Sequence, residues 1–589
     1  MCSKCGATMS DGSSLTPVCN IVTPVGMLGY GLDEAVTASL LADVIPNGAP
    51  TAIILDSGST DSGPEKLALG CMSCPRGSYL RDLTKLVRLA WDFRVPLIFS
   101  SAGGDGSNEH VVEMLDILSE ICGMEGNEHY KLKILAIFSE VSKSFVHERL
   151  EADAITGCGR YVPPLDPSFI ESSPRIVSQM GPEPFYDAMI GTPDFNIVVG
   201  GRAYDPSPYI AFAAHATKTP LTNTSTPEAK RLWGGFTHLG KILECGGFCA
   251  TPKCAAVRAT MYQDGTFDLT PGDLESRCTP LSYMGSIKDP ILIRQLDDVL
   301  KRIKGYVVQQ HRDVKGTWDL DWHIYGQNQT TADGRPAEIL LIGEALGSTQ
   351  ELANSVASAA RIATIHGSYP DQKATSGNLA YGIGGKLESE LGPCAQFSIY
   401  HLVELEDGEE RLRLDDKSNA LYRQQVLNLG QGKPQPSLAR PPATLPAKME
   451  PPAMHVTPTK MKYPAQPKTL GDVARVLRSK TAGPWEITFD VMFDTEAIFQ
   501  LVKSTNFLNA AVLAELNGIR EEEVVWSGFF DQALAYKGTI PRLQRGKPAA
   551  NGGFMENDIH GSQKYIGLLT LLLPEEFINK WDSIQVDAE

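Results

Sequence analysis

The sequence predicts an α/β protein: a parallel-sheet N-terminal domain, a second α/β lobe and a small C-terminal α+β domain. Four apolar, β-branched runs each end in a small-residue, acidic or Arg-bearing loop: TAIILDSGSTDSGP from Thr51, VPLIFSSAGGDGSNEH from Val95, LKILAIFSEVSK from Leu132 and FNIVVGGRAYDPSP from Phe195. Such runs are the pattern of strands buried on both faces in a parallel sheet. The segments Tyr79 to Phe93 and Glu109 to Ile121 carry apolar residues at three- and four-residue spacing, as amphipathic helices do. Strand, helix and strand in succession make a β-α-β unit.

An earlier strand, CNIVT, leads into the Gly-rich turn PVGMLGYG, which opens the next helix. Such a turn can receive a phosphate or carboxylate on its N–H groups, or simply be tight; no Gly-x-Gly-x-x-Gly occurs. From Asp289 to Leu405 the order is helix (DPILIRQLDDVLKRIKGYV), strand (DWHIYG), strand (EILLIGEAL) and helix (ELANSVASAARIATIHG). A Pro-rich stretch follows, then a helix (LGDVARVLRSK), a strand (WEITFDVMFD), a helix (EAIFQLVKSTNFLNAAVLAELNG) and the segment VVWSGFFDQALAYKGTIPR. The expected organisation is a tail over 1–17, the N-terminal domain over 18–288, the second lobe over 289–426, a linker over 427–466 and the small domain over 467–589. A Pro-rich linker is an extended spacer, long enough for the small domain to dock on its own chain or a neighbour's. Arg478, Lys480, Thr481, Glu486, Lys537 and Arg542 would then reach the rim of the large domain's crevice.

With 589 residues and 42% hydrophobic content, the chain can bury several cores. Its net charge of -17 has no basic stripe, which argues against nucleic acid as a partner. No run is long and apolar enough to span a membrane and no leader pattern opens the chain, so a cytoplasmic protein without membrane attachment is expected. The twelve cysteines include the pairs Cys2/Cys5 and Cys71/Cys74 and the cluster Cys245, Cys249 and Cys254, but no four-ligand zinc spacing is complete.

In an open parallel sheet, ligands sit outside the carboxyl ends of the strands. That rule gathers Asp56, Ser57, Ser59, Asp61, Ser101, Gly103, Gly104, Asp105, Glu140, Arg202 and Asp205 at one crevice. Asp56 and Asp61 flank a hydroxyl-rich loop: either is a candidate general base, or both are oxygen ligands for Mg²⁺ or Ca²⁺, or the loop is an Asx-turn network. Arg202 either pairs with Asp205 or forks onto a substrate carboxylate. In HLGKILECGGF, His238, Lys241 and Cys245 share a helical face with Glu244 beside them; the set can relay protons or be an ordinary surface pair. Lys373, Ser376 and Asn378, in a loop after His366, would close over an anionic substrate or be solvated. Neither a Gly-x-Ser-x-Gly elbow nor a Walker loop is present, which disfavours Ser hydrolase chemistry and ATP use.

The ordered words MLGYG, LDSGSTDSGP, SSAGGDG, RIVSQMGPEPF, GGRAYDPSPY, HLGKILECGG, RCTP, DPILI, YPDQKATSGNLAY and FSIYHL resemble the acyclic terpene utilisation family over about Val18 to Leu405. The C-terminal words LRSKTAGPWEITFDVMFD and FFDQALAYKGTIPR resemble an uncharacterised small-domain family, often a separate partner polypeptide in bacteria. The resemblance implies a fusion of two cooperating partners. It also implies a homo-oligomeric small-molecule enzyme, a lyase, hydratase or dehydratase, acting on a carboxylate or a CoA thioester. Only eight residues separate the RCTP word from Asp289, where family members have several tens. Thr481 and the IHGSQKY stretch from Ile559 also depart from the usual words. A ligand-binding or scaffold subunit is the alternative reading.

Overall fold

The computed structural model describes residues 16–581 except 59–62, 222–225, 250–255, 272–282, 317, 328, 331–333, 335–336, 348–349, 374–375, 381–396, 413–420, 435–462, 545 and 553–557. Its strands, in chain order, are β1 Pro17–Thr23, β2 Thr51–Asp56, β3 Leu97–Ser100, β4 Leu132–Phe138, β5 Ile155–Gly157, β6 Ile197–Gly200, β7 Val257–Tyr262, β8 Phe267–Pro271, β9 Tyr283–Ile287, β10 Trp318–Tyr325, β11 Ile339–Gly347, β12 His401–Val403, β13 Arg423–Leu429, β14 Val476–Thr481, β15 Glu486–Met492, β16 Trp526–Phe530 and β17 Ala535–Pro541.

The large sheet has the order β13-β4-β6-β3-β2-β1-β7-β8. The five strands β4, β6, β3, β2 and β1 are parallel, as their apolar runs require, and β7, β8 and β13 add antiparallel edges. Alternate residues of each central strand go to opposite faces. Ile53, Leu55, Leu97 and Phe99 meet the helices Glu34–Val44, Arg76–Phe93 and Asn108–Gly123. Ile54, Ile98 and Val198 meet the helices Glu183–Gly191, Ser207–Thr217 and Pro227–Leu243. Layers on both faces explain why these strands are apolar throughout rather than alternating.

The second lobe is a three-stranded antiparallel sheet, β10-β11-β9, backed by the helices Leu296–Gln310 and Gln350–His366 around one core. Residues 401–429 differ from the expected boundary. β12 pairs with β5 of the N-terminal domain, and β13, placed across the end of the lobe and the start of the linker, becomes the edge of the large sheet against β4.

The small domain has a four-stranded antiparallel sheet, β14-β15-β17-β16, with its own core. Its first segment corrects the expected helix over LGDVARVLRSK. Only Leu470–Val473 is helical, and Val476–Thr481 is a strand because β15 supplies its backbone partners along its length. The long helix expected next is two, Glu496–Thr505 and Ala510–Asn517. Asn506 ends the first in the left-handed region at φ 48°, and the Asn509 side chain caps the second.

The Gly-rich turn after β1 binds no outside anion with the N–H groups of Gly29 and Gly31. Both donate to the buried Asp82 carboxylate, at 3.0 and 2.8 Å, and Arg81 Nε holds the other oxygen at 2.8 Å. The turn is an internally satisfied joint.

Candidate functional site

The loop after β3 runs to the helix Asn108–Gly123 on one face of the sheet, and the loop after the adjacent β6 runs to the helix Ser207–Thr217 on the other. Neighbouring loops that part in this way leave a crevice at a topological switch point. The two loops are nevertheless bonded to each other. Ser101 N–H donates to the Gly201 carbonyl at 2.9 Å and Arg202 N–H to the Gly106 carbonyl at 3.1 Å. Ser101 sits in the left-handed region at φ 53°, a strained conformation for a side-chain-bearing residue, as is common at functional sites. The Ala203 N–H donates to its hydroxyl at 3.5 Å.

Asp56, at the carboxyl end of β2, is the buried acid of this crevice. Its Oδ1 accepts the N–H groups of Ser57 at 2.8 Å and Gly58 at 3.1 Å and the Ser100 hydroxyl at 3.2 Å. Ser57 in turn donates its hydroxyl to the carbonyls of Ser100 and Ser101. Burial pushes the Asp56 carboxyl up to about 8, and the Asp205 carboxylate adds to the rise; Arg202, the Gly58 N–H and then Glu244 contribute less, the first two downward. The Arg202 guanidinium lies close by, since a β-carbon on Gly58 would stand 3.0 Å from its Nη1. Burial thus favours the neutral acid, which keeps its proton to a higher pH than an exposed carboxyl does.

The helix Pro227–Leu243 brings up the next wall. Lys241 Nζ bonds both oxygens of Glu244, at 2.7 and 3.0 Å, and lies over the Tyr204 ring 5.5 Å from its centroid. Burial raises the Glu244 carboxyl, with Asp205 adding to it and Lys241 opposing. Burial also draws Lys241 down, but the Glu244 carboxylate outweighs it and holds the ammonium above its ordinary value. Behind them the buried Tyr209 hydroxyl donates to the carbonyls of Ile54 and Leu243.

The small domain closes the mouth. The β14–β15 turn brings Gly483 against Tyr400, whose Oη would be 2.8 Å from a β-carbon there, and Glu486 Oε1 stands 3.2 Å from the corresponding point on Gly159. Tyr161 donates its hydroxyl to the Glu523 carbonyl at 2.9 Å. Lys480 on β14 acts electrostatically on Glu244, Cys245 and Lys241.

The other predicted residues go to different duties. Ser59 and Asp61 lie outside the described residues, as do Cys2, Cys5, Cys254 and the Cys249 side chain. Among the described residues, no group of three His, Cys, Asp or Glu is placed to hold a metal ion. Gly103 and Gly104 have φ of 70° and 105° and let the β3 loop pass His110 and Ser73, where a β-carbon would collide. Asp105 accepts from Ser107 N–H and pairs with His110 Nδ1 at 2.6 Å, and Glu140 caps the helix from Asn108 through that residue's N–H. His238 is exposed and packs edge-on against Phe267. Lys373 and Ser376 join the second lobe to the small domain, donating to the carbonyls of Ala474 and Ser479 at 3.2 and 2.7 Å. Asn378 holds the end of the helix Gln350–His366 through the carbonyls of Thr364 and Gly367. Tyr204 and Tyr400 were missed by sequence reasoning. Tyr204 stands between Arg202 and Asp205 in one word, which was the available sign, whereas nothing in FSIYHL marks Tyr400 as a lining residue.

No helix among the described residues is long and apolar enough to cross a membrane. No match to the chain was found among curated proteins or among solved structures. A family described as "Domain of unknown function (DUF4387)" matches residues 470–572, which is the small domain whose β14–β15 turn closes the crevice.

Proposed function

We propose that the crevice is the active site of a lyase, of hydratase or dehydratase type, acting on a small carboxylate or an acyl-CoA. The observation that carries this reading is the buried Asp56 carboxyl, raised above the usual carboxylate range by that burial, beside the Arg202 guanidinium at the switch point of the sheet. Adding or removing water next to a carboxylate needs a group that gives and takes a proton at the reacting atom and a cation that holds the substrate's charge. Asp56 has the first property and Arg202 the second. Glu244, also raised by burial, is the candidate for the complementary proton transfer, with Lys241 setting its charge. The resemblance of residues 18–405 to the acyclic terpene utilisation family points to the same substrate class.

The test is a turnover screen of the full chain against α,β-unsaturated acids, β-hydroxy acids and their CoA thioesters, with Asp56→Asn beside the wild type. The expected result is turnover that falls at least ~100-fold in the variant while its circular dichroism is unchanged. Binding without turnover, unaltered in the variant, identifies the crevice instead as a binding module. The eight-residue spacing before Asp289 favours that second reading.

A further inference from the structure

The small domain presents a cation, Lys480, that forms no direct ion pair with a carboxylate among the described residues. On β14, Leu477 and Ser479 point into the small domain's interior, so alternation puts Arg478 and Lys480 on the other face. There Arg478 is held by Asp490 at 2.8 Å, and Lys537 bonds the same carboxylate at 3.1 Å. Across the crevice, Lys241 is bound to Glu244. The side chain of Lys480, on the same face, is half-buried and makes no hydrogen bond or direct ion pair with a described residue, while members of both pairs act on it electrostatically. Burial lowers its ammonium from the ordinary value, and Arg478 and Lys241 push the same way, against the opposing pull of Cys245 and Asp490. A half-buried ammonium held in no direct ion pair gains from an anionic group that a ligand brings against it.

We propose that Lys480 receives a second anionic group of the substrate, remote from the reacting carbon, so that the crevice takes dicarboxylates in preference to monocarboxylates. The inference rests on the reading of the crevice as a carboxylate site. Arg202 comes from the β6 loop of the large domain and Lys480 from the strand whose hairpin turn meets Tyr400; Arg202 acts on Tyr400 and on Asp56, and Lys480 on Glu244, which acts on Asp56 as well, so the proposal sets the two cations on separate walls of one crevice. Each can meet one end of an extended ligand. The site is then complete only with the small domain in place, which gives a physical reason for joining the two in one chain.

Calorimetric titration of the full chain with succinate and with butyrate tests this. The expected result is at least tenfold tighter binding of succinate, a preference lost in Lys480→Met, kept in Lys480→Arg and unchanged in Arg478→Met. Equal binding of the two acids, binding of neither, or a preference that survives in Lys480→Met overturns the proposal. So does a Lys480→Met variant that melts lower and titrates like the wild type, because the lysine is then a structural clamp. Asp56→Asn should keep the succinate preference. A crevice that binds selectively but does not react therefore leaves this inference standing while removing the catalytic one.

Discussion

Gly106 and Arg202 touch at the backbone: the Arg202 N–H donates to the Gly106 carbonyl at 3.1 Å, and a β-carbon on Gly106 would lie 2.1 Å from the Arg202 nitrogen. Gly106 also has φ of 73°. A side chain there meets rigid backbone and a disfavoured conformation at once. Gly106→Ala should therefore cost about 3 kcal/mol in urea unfolding and weaken ligand binding, because Arg202 must move. A variant as stable as the wild type would show that the loops are less tightly joined than their contacts require.

Asp56 makes stability and activity depend on pH in a defined direction. Its carboxyl is raised from 3.8 to about 8, so between these values the unfolded chain gives up a proton that the folded chain keeps. Stability then falls as pH rises through that window and levels off above it. Asp56→Asn should flatten this limb, making the variant more stable than the wild type near pH 8 and no more stable near pH 4. If Asp56 acts as a proton donor, turnover should decline as pH rises, with an inflection near about 8. Melting temperatures across the range and a pH–rate profile check the two parts separately.

The turn after β1 depends on one carboxylate. Asp82 is fully buried and holds the Gly29 and Gly31 N–H groups together with Arg81. Asp82→Ala leaves two donors and a guanidinium without their partner and should cost about 3–5 kcal/mol. Denaturant unfolding at neutral pH measures it, and a loss below 1 kcal/mol would mean that water replaces the carboxylate.

Asp289 locks the lobe to the small domain. Its Oδ2 accepts the hydroxyls of Tyr369 at 2.7 Å and Tyr565 at 3.3 Å, while Oδ1 accepts N–H groups at the start of the helix Pro290–Ile293. Asp289→Ala should lose about 2–3 kcal/mol, from the cap and the two phenol bonds. It should also speed limited proteolysis of the full chain. Unchanged cleavage would show that Ser376, Ser562 and their neighbours hold the small domain without it.

The sequence by itself determined the central strands and the helices between them, since β2, β3, β4 and β6 each form from a short apolar run and each helix from a spaced apolar face. These are local patterns that survive wherever the chain goes. It also predicted that polar strand ends would meet, and the structure sets Ser101 and the Arg202 guanidinium against the loop after Asp56, with Asp205 acting on Asp56. Tertiary structure alone decided β13, a polar, half-exposed strand with no apolar run, which is a strand because β4 lies beside it. It decided β14 in the same way, where helical spacing over LGDVARVLRSK yields to the backbone partners of β15. It packed the exposed His238 against Phe267 and gave Lys373 and Ser376 to a domain joint. It also brought Lys480 to the crevice and raised the Asp56 carboxyl. The physical reason is that strand pairing and the burial of charge depend on groups distant in the chain, whereas periodicity records only which face of each segment leaves water.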